Sequence, residues 1–167
     1  IIMNKLLIVS ELGNNVSYSY VINDLKKIFN ERYDCYYFCI RNLGNDRCLR
    51  KLGEDGYEMS KMFFIDENLF FGKNGNRIIH KEHNDNCASG IIQIESIINH
   101  VKPDIVLLLG DTEIIKHICL TINRIKNFKG KLIQNLPLDV NNASPEWFDY
   151  KKDFLLTVSN HSKNQFL

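Results

Sequence analysis

The 167-residue chain lacks most features that would assign it to a special class of protein. It has no apolar run approaching the roughly 20 residues that cross a bilayer, so the sequence gives no basis for a transmembrane helix. Its opening, Ile-Ile-Met-Asn-Lys-Leu-Leu-Ile-Val, is too short and too poorly organised for a secretory leader. That start reads as a first strand, and the cytoplasm is the expected compartment. Neither sign of charge dominates: 21 Lys and Arg against 20 Asp and Glu leave a net +1. Nothing electrostatic therefore favours nucleic acid or an anionic membrane. The five cysteines form no Cys-x-x-Cys pair. Cys35 and Cys39 fall on one face of a strand but about 13 Å apart, too far for a disulfide or a shared metal. A scattered, odd set fits reduced thiols. Alanine is nearly absent, with 2 residues, while Asn and Ile occur 20 and 21 times. Asn, Ile and Lys have AT-rich codons, so the bias points to an AT-rich genome, bacterial or viral, and takes weight off Asn-rich loops as functional signals.

What is present is ordinary material for one domain: 44% hydrophobic and 25% charged residues. The organising stretch is residues 103–112, Pro-Asp-Ile-Val-Leu-Leu-Leu-Gly-Asp-Thr. An apolar run without polar alternation must be covered on both faces, as a central strand of a parallel sheet is. Around it, residues 5–9, 35–40, 131–136 and 154–158 read as further strands. Helices are predicted from Ser17, with Val21, Ile22, Leu25, Ile28 and Phe29 inward; from Ser89, stopped by Lys102-Pro103; and from Asp111 or Thr112, with Ile114, Ile115, Ile118, Ile122 and Ile125 inward. Residues 62–65 and 69–71 are short β-like runs, and a hairpin is expected through residues 72–80. Residues 41–62 resist assignment, and Ser144-Pro145 starts a short helix. Alternating strands and helices mean a three-layer α/β/α sandwich with a mostly parallel sheet.

In such sheets ligands meet the carboxyl ends of the strands, which selects the candidate residues. The first loop, residues 10–15, has one glycine and no lysine, so it is neither a dinucleotide fingerprint nor a P-loop. No acid closes the second strand either, because Arg41 follows Ile40. Asp111, after the central strand, is a helix cap or an acid, base or sugar ligand. Asp139 follows the strand-ending Leu136-Pro137-Leu138. Ser159 to Lys163 opens a helix whose amides could meet an anion, with His161 and Lys163 assisting. His80, His83 and Cys87 give a metal-like spacing without a fourth ligand, so a solvated loop is the better reading and no metal site is assigned. Trp147 reads as core or cleft wall.

Taken in order, "KPDIVLLLGD" and "LIQNLPLDVNNASPEWFDYKKDFLLTVSNHSKNQFL" resemble the amino-terminal domain of retaining GT-B glycosyltransferases (glycosyl transferase group 1, family 4-like). The matching positions are Pro103, Asp104, Pro137, Asp139, Pro145, Trp147, Asp153, Ser159 and Ser162. The first strand, loop and helix match more loosely, and residues 41–88 do not take part. The resemblance implies that residues 1–167 form one Rossmann-like domain, the acceptor-side half of a two-domain enzyme. A carboxy-terminal domain would grip the nucleotide-sugar donor, and the isolated half would be inactive. Gly13 and Asn14 would lie near the donor phosphates; Asp111, Thr112 and Asp139 would line the cleft, with Asp111 and Asp139 the catalytic candidates; Ser159 and His161 would join the substrate-binding set. The implied substrates are a nucleotide sugar and a sugar or glycan acceptor, with no tightly bound cofactor, no metal and no nucleic acid. The alternative from another class is a flavodoxin-like signalling or interaction module. A phosphorylated receiver, however, needs an acidic pair after the first strand, where Glu11 stands alone. A stand-alone small-molecule binder of Rossmann type is a third possibility.

Overall fold

The structure is a computed structural model that describes residues 2–12, 17–66, 86, 89–110, 112–136 and 153–157. Six strands, β1 (Lys5–Ser10), β2 (Asp34–Cys39), β3 (Met62–Phe64), β4 (Ile105–Leu109), β5 (Lys131–Leu136) and β6 (Phe154–Thr157), form one sheet in the order β3-β2-β1-β4-β5-β6. Every pairing among them is parallel. The helices are α1 (Ser17–Arg32), α2 (Asp46–Glu54), α3 (Ile94–Val101) and α4 (Thr112–Arg124), with a 3-10 turn at Met59–Lys61. This is the Rossmann-like α/β arrangement, with the order reversing between β1 and β4.

Strand alternation distributes the core between two layers. Leu7, Val9, Phe38, Ile40, Val106 and Leu108 point to the face covered by α3 and α4. Leu6, Ile8, Cys35, Tyr37, Cys39, Leu107 and Leu109 point to the other, where α1 and α2 supply Ile22, Cys48 and Leu52. The unbroken apolar run of β4 thus serves both faces, as a central strand must.

Three helices depart from the sequence reading. In α1, Ile22 is buried and Leu25 and Phe29 are half-buried, but Val21 and Ile28 are exposed rather than inward. The flank toward α2 is polar: Asn23 accepts from the Tyr57 hydroxyl, and Lys26 donates to the Asp55 carbonyl with its ammonium 4.4 Å from the centre of the Tyr57 ring. These contacts seat the Ile22–Lys26–Phe29 stripe on the sheet and leave Val21 and Ile28 on the opposite flank. Helix α2 lies in the segment without an assignment, because only Cys48 and Leu52, four residues apart, are buried. Its start is nonetheless well defined, with Asn45 Oδ1 accepting from the Cys48 amide at 3.0 Å. Helix α3 begins at Ile94, not Ser89, since turns occupy residues 89–93 and Gly90 sits at φ 79°. It ends at Lys102, as expected, in a left-handed C-cap whose amide donates to the Ile98 carbonyl. The readings at residues 69–80, 144–150 and 159–167 lie outside the described residues.

Candidate functional site at the carboxyl edge

From the strand ends the chain leaves β1 toward β2 through α1 on one face, and leaves β4 toward β5 through α4 on the other. The two connections leave the sheet on opposite faces, which puts the switch point of the strand order between β1 and β4, where sheets of this order take ligands. The described residues on its β1–β2 side are Ser10, Glu11 and Leu12 after β1 and Ile40, Arg41 and Asn42 after β2, with Gly110 closing β4.

Ser10 ends β1 opposite Cys39 of β2. Its carbonyl accepts from the amides of Leu12 and Ile40, both at 3.0 Å, which ties the two strand ends together. Its hydroxyl is buried and has no hydrogen-bond partner among the described residues. Such an orphan costs about 1–3 kcal/mol and is uncommon in a native core.

Next to it, Glu11 Oε1 accepts from Arg41 NH1 at 2.9 Å. Arg41 adopts φ 58°, a left-handed conformation that costs a residue with a Cβ about 1–2 kcal/mol. The strain belongs to the tight exit from β2. Asn42, immediately after, is the buried hub of the edge. Its Nδ2 donates to the Leu12 carbonyl at 3.0 Å and lies 2.9 Å from Cys48 Sγ, while its Oδ1 accepts from the Gly44 amide at 2.9 Å. One side chain thus joins the chain after β1, the turn after β2 and α2. At Gly110 an added Cβ would meet Ile115 at 3.5 Å and Ile40 at 3.9 Å, ordinary contact distances.

Of the residues selected from sequence, Thr112 is the one described, as the first residue of α4, shortly after the end of β4. Gly13, Asn14, Asp111, Asp139, Ser159 and His161 lie outside the described residues, as do His80, His83, Cys87, Trp147 and Lys163. Ser10, Glu11, Arg41 and Asn42 were not selected. In sequence they read as turn polarity, and the contacts that join them span 30 residues.

The opposite edge has a structural explanation for its charges. Asp104, before β4, accepts from the Lys5 amide through Oδ2 at 2.8 Å, and Asp153, before β6, accepts from the Leu132 amide at 2.9 Å. Two aspartates of the glycosyltransferase-like motif set therefore register neighbouring strands at their amino ends. Asp34 bonds Lys61 at 2.9 Å, and that ammonium holds its carboxyl below the usual range. Cavities of about 430 and 320 Å³ lie on this edge, the larger beside Pro103, Phe128 and Gly130, the smaller beside Tyr37, Tyr57 and Lys61. In the smaller, Asp34 and Glu58 pair with Lys61 and Lys26 donates to the Asp55 carbonyl, and in the larger Asp104 holds the Lys5 amide, so size does not outweigh the topology of the carboxyl edge. Burial pushes the Cys35 thiol up to about 11 and raises Cys39 as well, which leaves both protonated and unreactive at neutral pH.

Among the described residues no group of three His, Cys, Asp or Glu could hold a metal ion, and no helix is long and apolar enough to cross a membrane. No protein-family model matches the chain, and a search of the curated proteins finds no relative of it.

Proposed function

We propose that the chain is the acceptor-side domain of a retaining GT-B glycosyltransferase, moving a sugar from a nucleotide-sugar donor to a sugar or glycan acceptor. The observation that carries this reading is the all-parallel β3-β2-β1-β4-β5-β6 sheet, around which the motif-bearing segments fall in the order of the resemblance. Pro103-Asp104 enters β4, β5 ends at Leu136 directly before Pro137 in the sequence, and Asp153 enters β6. Asp104 and Asp153 have the physical reason just given for standing there.

In this reading the crevice above β1 and β4 receives the acceptor, and a second domain brings the nucleotide sugar to face it. In the transition state positive charge develops on the sugar ring as the bond to the nucleotide breaks, and the acceptor hydroxyl gives up its proton as the new bond forms, so Asp111 and Asp139, the candidate carboxylates, are the residues proposed to hold and orient that hydroxyl. The chain alone is expected to be inactive. Against the signalling alternative, the one acid after β1 is paired with Arg41, which leaves a phosphoacceptor site without its acidic pair.

The test is glycosyl transfer by the two-domain protein, measured as acceptor-dependent release of the nucleotide. Asp139→Ala is expected to lower turnover about 100-fold or more, the range of a lost acid–base or positioning group. Turnover at the wild-type rate would remove Asp139 from the site. Acid-labile phosphate on the chain after incubation with a small phosphodonor would favour the signalling module instead.

A further inference from the structure

The Glu11–Arg41 pair is unequal. The Glu11 side chain is 13% exposed and Arg41 is 48% exposed, and among the described residues a single 2.9 Å bond from NH1 is the only polar contact of the guanidinium. A guanidinium carries five N–H donors in a planar fork, and a one-bond pair leaves an edge of that fork unfilled. The pair stands at the exit of β2, beside β1. In dinucleotide-binding sheets of this strand order the group closing β2 meets the ribose, and an arginine nearby accommodates its phosphate; Arg41 stands at the same position, although this chain lacks the glycine fingerprint of that class. The backbone of Arg41 is held in the left-handed region, so its position is set by the turn rather than by a relaxed strand end. Next to Glu11 in the chain lies the unpartnered, fully buried Ser10 hydroxyl.

We infer that Arg41 is an anion-recognition residue of the carboxyl edge, and that the ligand received there carries a phosphate or a carboxylate. Glu11 holds the guanidinium in place and neutralises it while the crevice is empty. The incoming anion takes the unfilled edge of the fork in a bidentate pair, competing with Glu11 for the same charge. This rests on the carboxyl edge being the ligand face, and it narrows the proposed acceptor to an anionic one.

The 167-residue chain is titrated with inorganic phosphate, and separately with acetate, at constant ionic strength, while its amide and arginine side-chain NMR signals are followed. A saturable shift of the Arg41 side chain and of the amides at Ser10, Glu11 and Asn42 is expected, with a Kd on the order of 1 mM. Tighter phosphate than acetate would identify a phosphate-bearing ligand, and the reverse a carboxylate. Arg41→Gln should weaken binding about tenfold or more, and Arg41→Lys, which keeps charge but not the fork, should weaken it less. Glu11→Gln should strengthen binding several-fold by removing the competitor, an effect that a merely structural pair would not produce. No saturable shift at Arg41 with either anion would overturn the inference, as would an equal shift in Arg41→Gln or weaker binding in Glu11→Gln. Because no donor or second domain is involved, a negative result leaves glycosyl transfer itself standing, while a failed transfer assay leaves this result intact.

Discussion

Asn42→Ala is expected to destabilise the fold by about 2–4 kcal/mol, although it removes only a short polar side chain. The estimate follows from what is left behind: a Leu12 carbonyl and a Gly44 amide without their side-chain partner, at roughly 1–3 kcal/mol for each group that stays buried. The Cys48 contact is lost as well, so α2 loses its tie to the strand ends. Denaturant titration reads the effect as a lower midpoint with the slope unchanged. A loss below about 0.5 kcal/mol, the range of ordinary surface substitutions, would mean that the three segments meet at this edge without needing the hub.

Gly90→Ala is expected to be comparably damaging for a different reason. Gly90 has φ 79°, and an added Cβ would lie 2.5 Å from Phe38 Cζ and 2.9 Å from Ile65 Cδ1. The left-handed backbone contributes about 1–2 kcal/mol and the overpacking about 1–3 kcal/mol. The two parts separate in a double-mutant cycle with Phe38→Leu, which opens space at the ring position without altering the backbone. The cycle should show a coupling of about 1 kcal/mol or more. Strict additivity would show that the cost is conformational and that the Phe38 ring yields freely.

These positions also show what the sequence could reveal. The fold was legible because it is written in local patterns. Residues 105–109 are apolar at every position, and a strand with no polar face has few places to be except the centre of a covered sheet. Residues 112–124 repeat isoleucine at helical spacing over three turns. Patterns thin in apolar residues failed. Helix α2 has two anchors, Cys48 and Leu52, and its amphipathic character comes mostly from charge. Val21 and Ile28 fit a helical stripe on paper, but the face that meets the sheet was decided by polar contacts to Asp55 and Tyr57, residues far ahead in the chain.

From the sequence the candidate site can be named as a place rather than as a set of residues. Sheet topology selects the carboxyl edge from strand order alone, and Thr112 lies at it as the periodicity predicts. The polar network on the described side of that edge was not selected, because a serine ending a strand or an asparagine after one has no local signature. Its meaning lies in burial and in partners 30 residues away. The chain has 20 asparagines, and nothing in the sequence singles out Asn42, the buried one among the described residues. Motif residues carry the converse lesson: Asp104 and Asp153 support the resemblance, yet in the structure they bond to strand amides at the edge opposite the crevice.

The central claim is that a sugar acceptor is received above β1 and β4, and amide shift mapping tests it most directly. The isotope-labelled chain would be titrated with a panel of neutral and anionic saccharides. Saturable shifts clustered at Ser10–Leu12, Ile40–Asn42 and Gly110–Thr112, and absent from Asp104, Phe128 and Gly130, are the predicted result. Shifts confined to the amino-edge cavities, or none with any saccharide of the panel, would contradict the account and return the chain to the signalling or small-molecule readings.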